Sequence, residues 1–382
     1  MDEKEFTGSV AGEVRWAING AYCYFHPHEL PFDLDIDRKT QLSLSEAAVE
    51  LARLDGMVSE MDTEESEILL TAFTLMESAS SSSIEGTRST MDDLYRSERI
   101  EERDTVRARD NSEVRSYKKA LSEGFEALSS GEKISIDLIK RLHRTLMSND
   151  RGSDLSPGEF KNVQNAIGTA VDTLETAKMV PAGPESVERL MDNWVRYVNS
   201  ENAGVIEKVA LSHCQFESIH PFRDGNGRMG RLLMVLIIYS DGLLRSPVLY
   251  PSSYFSKHRD EYIDGLFNVA SKDAFAEWFD FVAKALRTQA LSSIKTIGRL
   301  RRYLITLTAD EDKINTVRTI SMLFRNPYIR SKDVKGTLGV SLPTANSILG
   351  ELQGRKVIRE ITGMSRNKVY VADGIMEILR GV

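Results

Sequence analysis

Cysteine is scarce in this sequence of 382 residues, which contains only Cys23 and Cys214. Two cysteines so far apart provide neither a disulfide framework nor the paired spacing of a zinc site. Long apolar runs are also missing: the run at residues 232–239 is far shorter than the roughly 20 residues that a bilayer span needs. The first five residues are acidic and polar, unlike a secretory signal. We therefore expect a cytoplasmic protein with no membrane partner.

Charge of both signs is present, but it is unevenly distributed. The net charge of −8 argues against a nucleic-acid-binding function for the chain as a whole. Residues 315–382 nevertheless contain 11 Lys and Arg against 5 Asp and Glu, a net charge of +6, which leaves −14 for the rest. The C-terminal part is therefore a basic module attached to an acidic body.

Hydrophobic residues recur at helical spacing through most of the chain, which predicts a mainly α fold. The predicted helices cover residues 43–54, 64–76, 113–128, 136–147, 184–197, 205–218, 228–239 and 275–301. The segment 228–239 is apolar almost all round after its first turn, so we expect a central buried helix that ends at Gly242. Residues 151–180 are rich in Gly, Ser, Asn and Thr and predict a loop with a short extended segment.

The C-terminal part has its own pattern of elements. Residues 330–338 predict a short helix followed by a turn at Gly339, and Ser341 caps a second helix with Pro343 in its first turn. Residues 356–359 and 368–371 predict two strands around Gly363. This order, two helices and then a two-stranded wing, resembles a winged helix-turn-helix domain.

The segment from His220 to Arg231, HPFRDGNGRMGR, combines several groups that suit phosphate chemistry. Gly225 and Gly227 flank Asn226, so the backbone can turn tightly and present N–H groups at the start of a helix, where anions bind. Arg228 and Arg231 are three residues apart and share a helix face. Asp224 adds a carboxylate for Mg²⁺, and His220 adds a base that titrates near neutrality.

Each of these residues also has a structural interpretation when it is taken alone. A histidine at a helix end often bonds a backbone carbonyl, Gly-Asn-Gly is a common turn, and arginines that open a buried helix often pair with acidic neighbours. The conjunction of all of them within twelve residues favours phosphoryl or nucleotidyl transfer.

The segment resembles the signature of the Fic family, H-P-F-x-(D/E)-G-N-G-R-x-x-R, at every fixed position. The resemblance implies a compact helical core whose central helix–loop–helix holds ATP, and an adenylyltransferase that moves AMP onto a Ser, Thr or Tyr hydroxyl of a target protein. It implies these roles: His220 as the base, Asp224 as the Mg²⁺ ligand, Gly225, Asn226 and Gly227 as the loop that holds the α- and β-phosphates, Arg228 as a phosphate contact, and Arg231 as the γ-phosphate contact.

Two further segments resemble parts of this family. Residues 157–165 and 167–180 are similar to the lead-in and the β-hairpin flap on which the target protein docks by strand addition, although a plain surface loop is the alternative. Tyr254 and Tyr262 lie in a segment that resembles the one after the family's central helix. Both are candidates for packing near the adenine, whereas aromatic residues at such spacing are more often core.

The Ser-rich stretch SSSIEG, residues 81–86, resembles the inhibitory motif (S/T)-x-x-x-E-(G/N) of the family. Ser81 and Glu85 are four residues apart, on one helix face, and Gly86 is a natural helix stop. The resemblance implies that Glu85 pairs with Arg231 and keeps it from the γ-phosphate. The alternative is a solvated glutamate at a helix end, where the helix dipole disfavours it unless it has a partner.

The sequence thus predicts an N-terminal helical region with the inhibitory motif (1–110), a Fic core (111–300) and a winged helix domain (301–382). Two rival functions remain open. The winged helix can serve a DNA-binding regulator or bind a protein, and the same fold can transfer another nucleotidyl group or remove AMP, with Glu85 aligning a water. The sequence also leaves open the target protein and whether the chain forms a homodimer.

Overall fold

The computed structural model describes residues 1–18, 20–61, 63–101, 104–148, 155–168, 172–201 and 203–381, with the backbone only for 63–68. In chain order its elements are β1 (Gly12–Trp16), β2 (Cys23–Pro27), α1 (Arg38–Ser59), α2 (Thr63–Ile84), α3 (Met91–Ser97), α4 (Thr105–Ser129), α5 (Ile136–Leu146), α6 (Val187–Val198), α7 (Val205–Ile219), α8 (Asn226–Ser240), α9 (Ser252–Lys257), α10 (Arg259–Lys272), α11 (Phe275–Thr308), α12 (Ile314–Arg325), β3 (Tyr328–Arg330), α13 (Ser331–Leu338), α14 (Leu342–Gly354), β4 (Arg359–Glu360), β5 (Val369–Val371) and α15 (Asp373–Arg380).

The mainly helical prediction is confirmed, and every helix predicted in the body of the chain has a counterpart. Side-chain caps begin several of them: Asp37 accepts the first free N–H groups of α1, Asp104 those of α4, and Ser135 that of Leu138 in α5. Within the described residues, no helix combines the length and the apolar character that crossing a bilayer requires.

Helix α8 lies at the centre of the core, as its all-round apolar pattern predicts. Its residues from Met229 to Ile238 are all buried. Helices α7 and α4 pack on it, and the approach to α4 is close because a Cβ on Gly124 would lie 2.6 Å from Leu236 Cδ1. Gly242, with φ 74°, follows the helix end as predicted. Helix α8 is thus enclosed by the core along its length. Its N-terminal end carries the candidate site.

The Ser-rich stretch is part of a continuous helix, because α2 runs to Ile84. Ser78, Ser81 and Ser82 are fully buried. Burial of a hydroxyl requires a partner, and Ser78 Oγ donates to the Thr74 carbonyl at 2.6 Å. Helix α2 ends at Ile84, and Gly86, with φ 94°, takes the left-handed conformation two residues later. Glu85 is the residue between them. The helix thus places the SSSIEG segment against the core rather than in a linker.

An N-terminal hairpin was not predicted from the sequence. Strands β1 and β2 pair antiparallel, from Gly12 opposite Pro27 to Trp16 opposite Cys23. Its local pattern is short and only partly alternating, so the pairing depends on the surface of α7, against which β2 packs.

The C-terminal part contains both predicted helices, as α13 and α14, and three short antiparallel strands in the order β3-β5-β4. Ser341 caps α14, as predicted. Helix α11 leads into this part without a break, so the predicted domain limit at residue 300 lies inside a helix. Arg380 and Tyr328 both contact Asp92 of α3, which joins the module to the body. The winged helix assignment and the domain limits stay predictions.

Candidate active site

The loop between α7 and α8 begins and ends on residues with left-handed backbone. His220 follows α7 with φ 49°, and Gly225 precedes α8 with φ 78°. Glycine adopts this conformation at little cost, whereas a histidine needs surroundings that hold it there. Asn226 supplies part of that hold: its Oδ1 accepts the Phe222 N–H and its Nδ2 donates to the Phe222 carbonyl, both at 2.8 Å. The Asn226 side chain is therefore used inside the loop.

A second histidine supports the loop from the side. His143 of α5 stacks on the Phe222 ring with the centroids 3.7 Å apart. Its Nδ1 accepts the Gly158 N–H at 2.9 Å, so its Nε2 carries the proton and donates to the Asp224 carbonyl at 2.9 Å. Burial lowers the pKa of His143 to about 4, which keeps the ring neutral.

A buried lysine holds the other side of the loop. Lys161 Nζ donates to the Ile219 carbonyl at 3.1 Å and to Asn165 Oδ1 at 2.8 Å. Asn165 in turn donates to the Phe222 carbonyl at 2.9 Å. Burial lowers the pKa of Lys161 to about 7. These contacts tie the segment before the predicted flap to the end of α7.

A cleft of about 660 Å³ opens above this loop and receives most of the predicted site residues. Its lining includes His220, Asp224, Gly225, Asn226, Gly227, Arg228, Arg231, Tyr262 and Glu85. Residues at the two ends of the predicted flap also line the cleft, among them Ile167, Gly168, Lys178 and Met179. The imidazole, the start of α8 and the two arginines thus face one cavity.

Arg231 is the most enclosed charged group of the cleft, with only 1% of its side chain exposed. Its Nε donates to Ser81 Oγ at 2.9 Å, and its Nη2 donates to the Ser81 carbonyl at 3.1 Å and to Glu85 Oε1 at 2.7 Å. Its Nη1 donates to the Tyr262 hydroxyl at 3.4 Å. Burial by itself would lower the pKa of Arg231. The interactions with Glu85 and Tyr262 are larger together and raise that pKa, so the guanidinium stays charged.

Glu85 occupies space directly over the first turn of α8. A Cβ on Gly227 would lie only 2.5 Å from Glu85 Oε1. The glycine is thus required for this close approach, and the carboxylate lies beside the amides that begin the helix. Gly86 takes the left-handed conformation that ends α2 and leaves Glu85 turned toward the cleft.

Arg228 is buried but not saturated with hydrogen bonds. Its Nη2 points to Met147 Sδ at 3.6 Å, and its Nη1 is 3.9 Å from Glu113 Oε2. Within the described residues, its Nε and Nη1 have no hydrogen-bond acceptor. An unsatisfied buried guanidinium is costly, so an anion that reached these atoms would be bound strongly.

Asp224 lies in the loop beside these amides, and its Oδ1 accepts the Gly225 N–H at 2.6 Å. Among the residues that the structure describes, no group of three or more His, Cys, Asp or Glu is arranged to hold a metal ion. The cleft therefore offers one carboxylate here, not a complete protein site.

The two tyrosines predicted near the adenine have different positions. Tyr262 lines the cleft, where its hydroxyl lies 2.7 Å from His213 Nε2. Tyr254 does not line the cleft: it is buried against His258, with the ring centroids 4.3 Å apart, and against Phe281. The position of Tyr254 therefore favours the alternative, a core aromatic residue.

The predicted flap is described except for residues 169–171, which lie outside the described part. Ile167 and Met179 form an antiparallel bridge, in which the Ile167 N–H donates to the Met179 carbonyl at 2.8 Å and the reverse bond measures 3.3 Å. A hairpin-like pairing thus borders the cleft.

Several residues around the site were not singled out from the sequence. His143, Lys161, Asn165 and Glu217 contact the loop or the base directly. No local pattern marks His143 or Lys161, since they come from other segments. Glu217, three residues before His220, was within reach of a spacing argument, because residues three apart share a helix face.

Two sequence profiles match this chain. That of the Fic/DOC family matches residues 133–238, and that of the Fic/DOC family N-terminal region matches residues 41–126, which together make half of the chain. The chain belongs to the Fic family.

Relatives of this Fic protein include protein adenylyltransferase fic-1 of Caenorhabditis briggsae, 30% identical over 190 residues, which are 48% of this chain and 34% of the relative. Protein adenylyltransferase Fic of Drosophila melanogaster is 34% identical over 128 residues, 33% of this chain and 23% of the relative. The aligned region thus spans about a third or less of the length of these relatives.

Solved structures share the fold. A Fic family protein from Desulfovibrio desulfuricans superposes with a TM-score of 0.56 at 19% identity, over 89% of this chain and 97% of that one. Fic-1 from Caenorhabditis elegans superposes with a TM-score of 0.54 at 20% identity, over 69% of this chain and 75% of that one.

Proposed function

We propose that this Fic protein transfers AMP from ATP to a hydroxyl side chain of a target protein. One observation supports the proposal above all: His220, the residues that begin α8 and Arg228 line the same cleft. A triphosphate and an attacking hydroxyl need these groups within reach of each other. The names of the relatives, protein adenylyltransferases, support the same class of reaction.

In this reaction His220 acts as the general base. It accepts the proton of the target hydroxyl while the hydroxyl oxygen forms a bond to the α-phosphorus of ATP. The bond from the α-phosphorus to its bridging oxygen breaks, AMP stays on the target, and pyrophosphate leaves. An imidazole suits this task because its ordinary pKa lies near neutrality.

The phosphates are held by positive groups that are already in place. The backbone amides at Gly225, Asn226 and Gly227 lie at the N-terminus of α8, where the helix dipole favours an anion. Arg228 contributes its unsatisfied edge, and Arg231 serves the γ-phosphate. Once Glu85 has moved away from Arg231, donors held in this way stabilise the charge that develops on the phosphates.

Mg²⁺ fits the donor set beside this loop, because Asp224 supplies a carboxylate and ATP supplies phosphate oxygens, the ligands that Mg²⁺ prefers. Asp224 would hold the ion together with the phosphates. When bound, Mg²⁺ neutralises phosphate charge.

Glu85 is proposed to hold the enzyme in a restrained state. Its carboxylate engages Arg231 Nη2 and lies next to Gly227, where it repels an incoming triphosphate. The γ-phosphate and Glu85 compete for one guanidinium, so ATP binds productively only when Glu85 moves away. The proposed inhibition therefore lies within the chain.

The target segment is proposed to dock beside residues 167–180 by adding a strand to the Ile167–Met179 pair. This pair borders the cleft, so an extended segment bonded to it would run past His220. Ile167→Pro removes the N–H that bonds the Met179 carbonyl and so opens the pair to which the target strand would be added. We expect it to weaken modification of a protein target while ATP binding is kept, and equal modification would contradict the docking proposal.

Labelled nucleotides test the reaction itself. We expect [α-³²P]ATP to label protein in a Glu85→Gly preparation and [γ-³²P]ATP to leave it unlabelled, because the β- and γ-phosphates depart as pyrophosphate. Label from the γ-position would indicate phosphoryl transfer and overturn the proposal. Labelled UTP and GTP test other nucleotidyl groups, and incubation with an AMP-modified protein tests the reverse reaction.

A second proposal concerns the basic C-terminal part, for which DNA is the partner that the surface favours. Lys332, Lys335, Arg366 and Lys368 are exposed on α13 and the segment before β5. Thr344, Asn346 and Ser347 add exposed polar side chains on α14. Salt-dependent retardation of DNA by the full chain, lost in the Arg366→Glu/Lys368→Glu variant, would support it. Equal retardation by that variant would contradict the DNA-binding proposal and favour a protein as the partner of this part.

A further inference from the structure

The carboxylate of Glu217 lies between the imidazole of His213, in α7, and that of His220, which directly follows the helix. His220 Nδ1 is 3.4 Å from Glu217 Oε2 and 3.3 Å from the Glu217 carbonyl. On the other side, Gly230 lies next to both Glu217 and His213. A Cβ added at Gly230 would lie 2.6 Å from Glu217 Oε1 and 3.1 Å from His213 Nδ1. A larger residue than glycine at position 230 would therefore disturb this arrangement.

The contacts of His220 fix the position of its proton. Both groups near Nδ1 are oxygen acceptors that belong to Glu217, so Nδ1 is the nitrogen that carries hydrogen. The other ring nitrogen, Nε2, then has a free lone pair. A general base needs that lone pair to take a proton from a hydroxyl.

A hydrogen-bonded chain runs from Arg231 to His213, whose ring lies on the other side of Glu217. Tyr262 Oη accepts from Arg231 Nη1 at 3.4 Å and lies 2.7 Å from His213 Nε2. Burial lowers the pKa of His213 to about 4 and keeps it neutral.

Packing alone does not explain a carboxylate in this position. The Glu217 side chain is only 11% exposed, and within the described residues its Oε1 has no hydrogen-bond partner. An apolar side chain would avoid that cost. Burial raises the pKa of Glu217, but the hydrogen bond from His220 and the positive charge of Arg231 lower it.

We propose that Glu217 is the positioning residue of the base. It holds His220 with the proton on Nδ1 and Nε2 free, and it stabilises the positive charge that His220 gains when it takes the hydroxyl proton. The proposal rests on the transfer reaction proposed above. The groups that face the carboxylate and share its electrostatics are His213 of α7, His220 directly after α7, Arg231 of α8 and Tyr262 of α10.

The test is Glu217→Gln in the Glu85→Gly background. The amide is nearly the same size, but its NH₂ can donate to Nδ1 and so favours the tautomer with the proton on Nε2. We expect kcat to fall by about 10- to 100-fold, with KM for ATP within roughly twofold, because only the base is affected. The acidic limb of the pH–rate profile should move to lower pH.

An NMR titration of His220 gives a readout that does not depend on activity. The resonance is assigned by its loss in His220→Ala. In Glu217→Gln we expect a changed Nδ1/Nε2 tautomer signature and an imidazole that is harder to protonate, because the negative charge beside it is gone. Glu207→Gln removes a carboxylate from the first turn of the same helix and should change neither the pKa nor kcat.

If Glu217→Gln does not fold, Glu217→Asp against Glu217→Asn isolates the charge at equal length, and the Asp variant should keep the higher His220 pKa. An unchanged pKa and tautomer of His220 in a folded Gln or Asn variant would overturn the proposal. Failure of the transfer reaction has a different signature: no variant is labelled by [α-³²P]ATP, while the His220 titration still responds to Glu217.

Discussion

Glu85 and Arg231 are 146 residues apart in the sequence, yet Glu85 Oε1 lies 2.7 Å from Arg231 Nη2. The two partners are unequally enclosed, since 43% of the Glu85 side chain is exposed against 1% of that of Arg231. Arg231 is also held by Ser81, whereas Glu85 follows the last residue of α2. The arginine is thus the fixed partner and the glutamate the one that can move.

Removal of Glu85 is expected to increase transfer. Glu85→Gly frees Arg231 for the γ-phosphate and removes a negative charge beside the helix amides, so self-labelling with [α-³²P]ATP should rise about tenfold or more, which corresponds to about 1.4 kcal/mol. Glu60→Gly, which removes an exposed glutamate at the end of α1, is the matched control. Unchanged labelling in Glu85→Gly would remove the proposed inhibition.

Loss of the base should separate transfer from binding. In the Glu85→Gly background, His220→Ala is expected to lower the transfer rate by at least about 100-fold, because no other group takes the proton. Calorimetry should give an ATP affinity within about twofold. Arg228→Ala should show the opposite pattern, with an affinity about tenfold weaker. Transfer at the original rate in His220→Ala would refute the assignment of the base.

The Asn226 side chain should matter for stability as well as for the reaction. Asn226→Ala removes both hydrogen bonds to Phe222, and we expect a loss of about 2 kcal/mol in the free energy of unfolding, measured with urea, together with lost transfer. Asn193→Ala is a close control, since Asn193 makes the same two bonds to Leu30, also at 2.8 Å. That variant should lose stability but keep transfer per folded molecule, and equal losses of transfer would contradict the role of Asn226 in the loop.

Stability should fall in mild acid because of buried histidines. Burial lowers the pKa of His26, His143 and His213 to about 4, from 6.5 in the unfolded chain. Between these values the unfolded state binds more protons, so stability is complete above pH 6.5 and decreases as the pH falls toward 4.

The histidine effect is measurable as the slope of stability against pH. We expect His143→Gln to give a shallower decrease between pH 6.5 and 4, by on the order of 1–3 kcal/mol over the interval. His258→Gln, at a partly exposed ring, is the control. A slope in His143→Gln equal to that of the original protein would show that His143 is not buried in its neutral form.

Local patterns were sufficient for a large part of this protein. Apolar residues at helical spacing specify α1, α4 to α8 and α11, because the buried face of a helix repeats every 3.6 residues. The caps at Asp37 and Ser135 and the stop at Gly86 are local as well. The β1–β2 hairpin was not predictable in this way, since its short strands depend on the surface of α7.

By itself, the sequence determined the helices and the composition of the loop 220–231, because spacing and glycine positions act within a few residues. Only the tertiary structure decided which distant groups meet that loop: His143 under Asp224, Lys161 at the end of α7, Ser81 and Glu85 at Arg231, and Tyr254 away from the cleft. Such pairings depend on how buried surfaces fit together across the whole chain, and no local pattern records that fit.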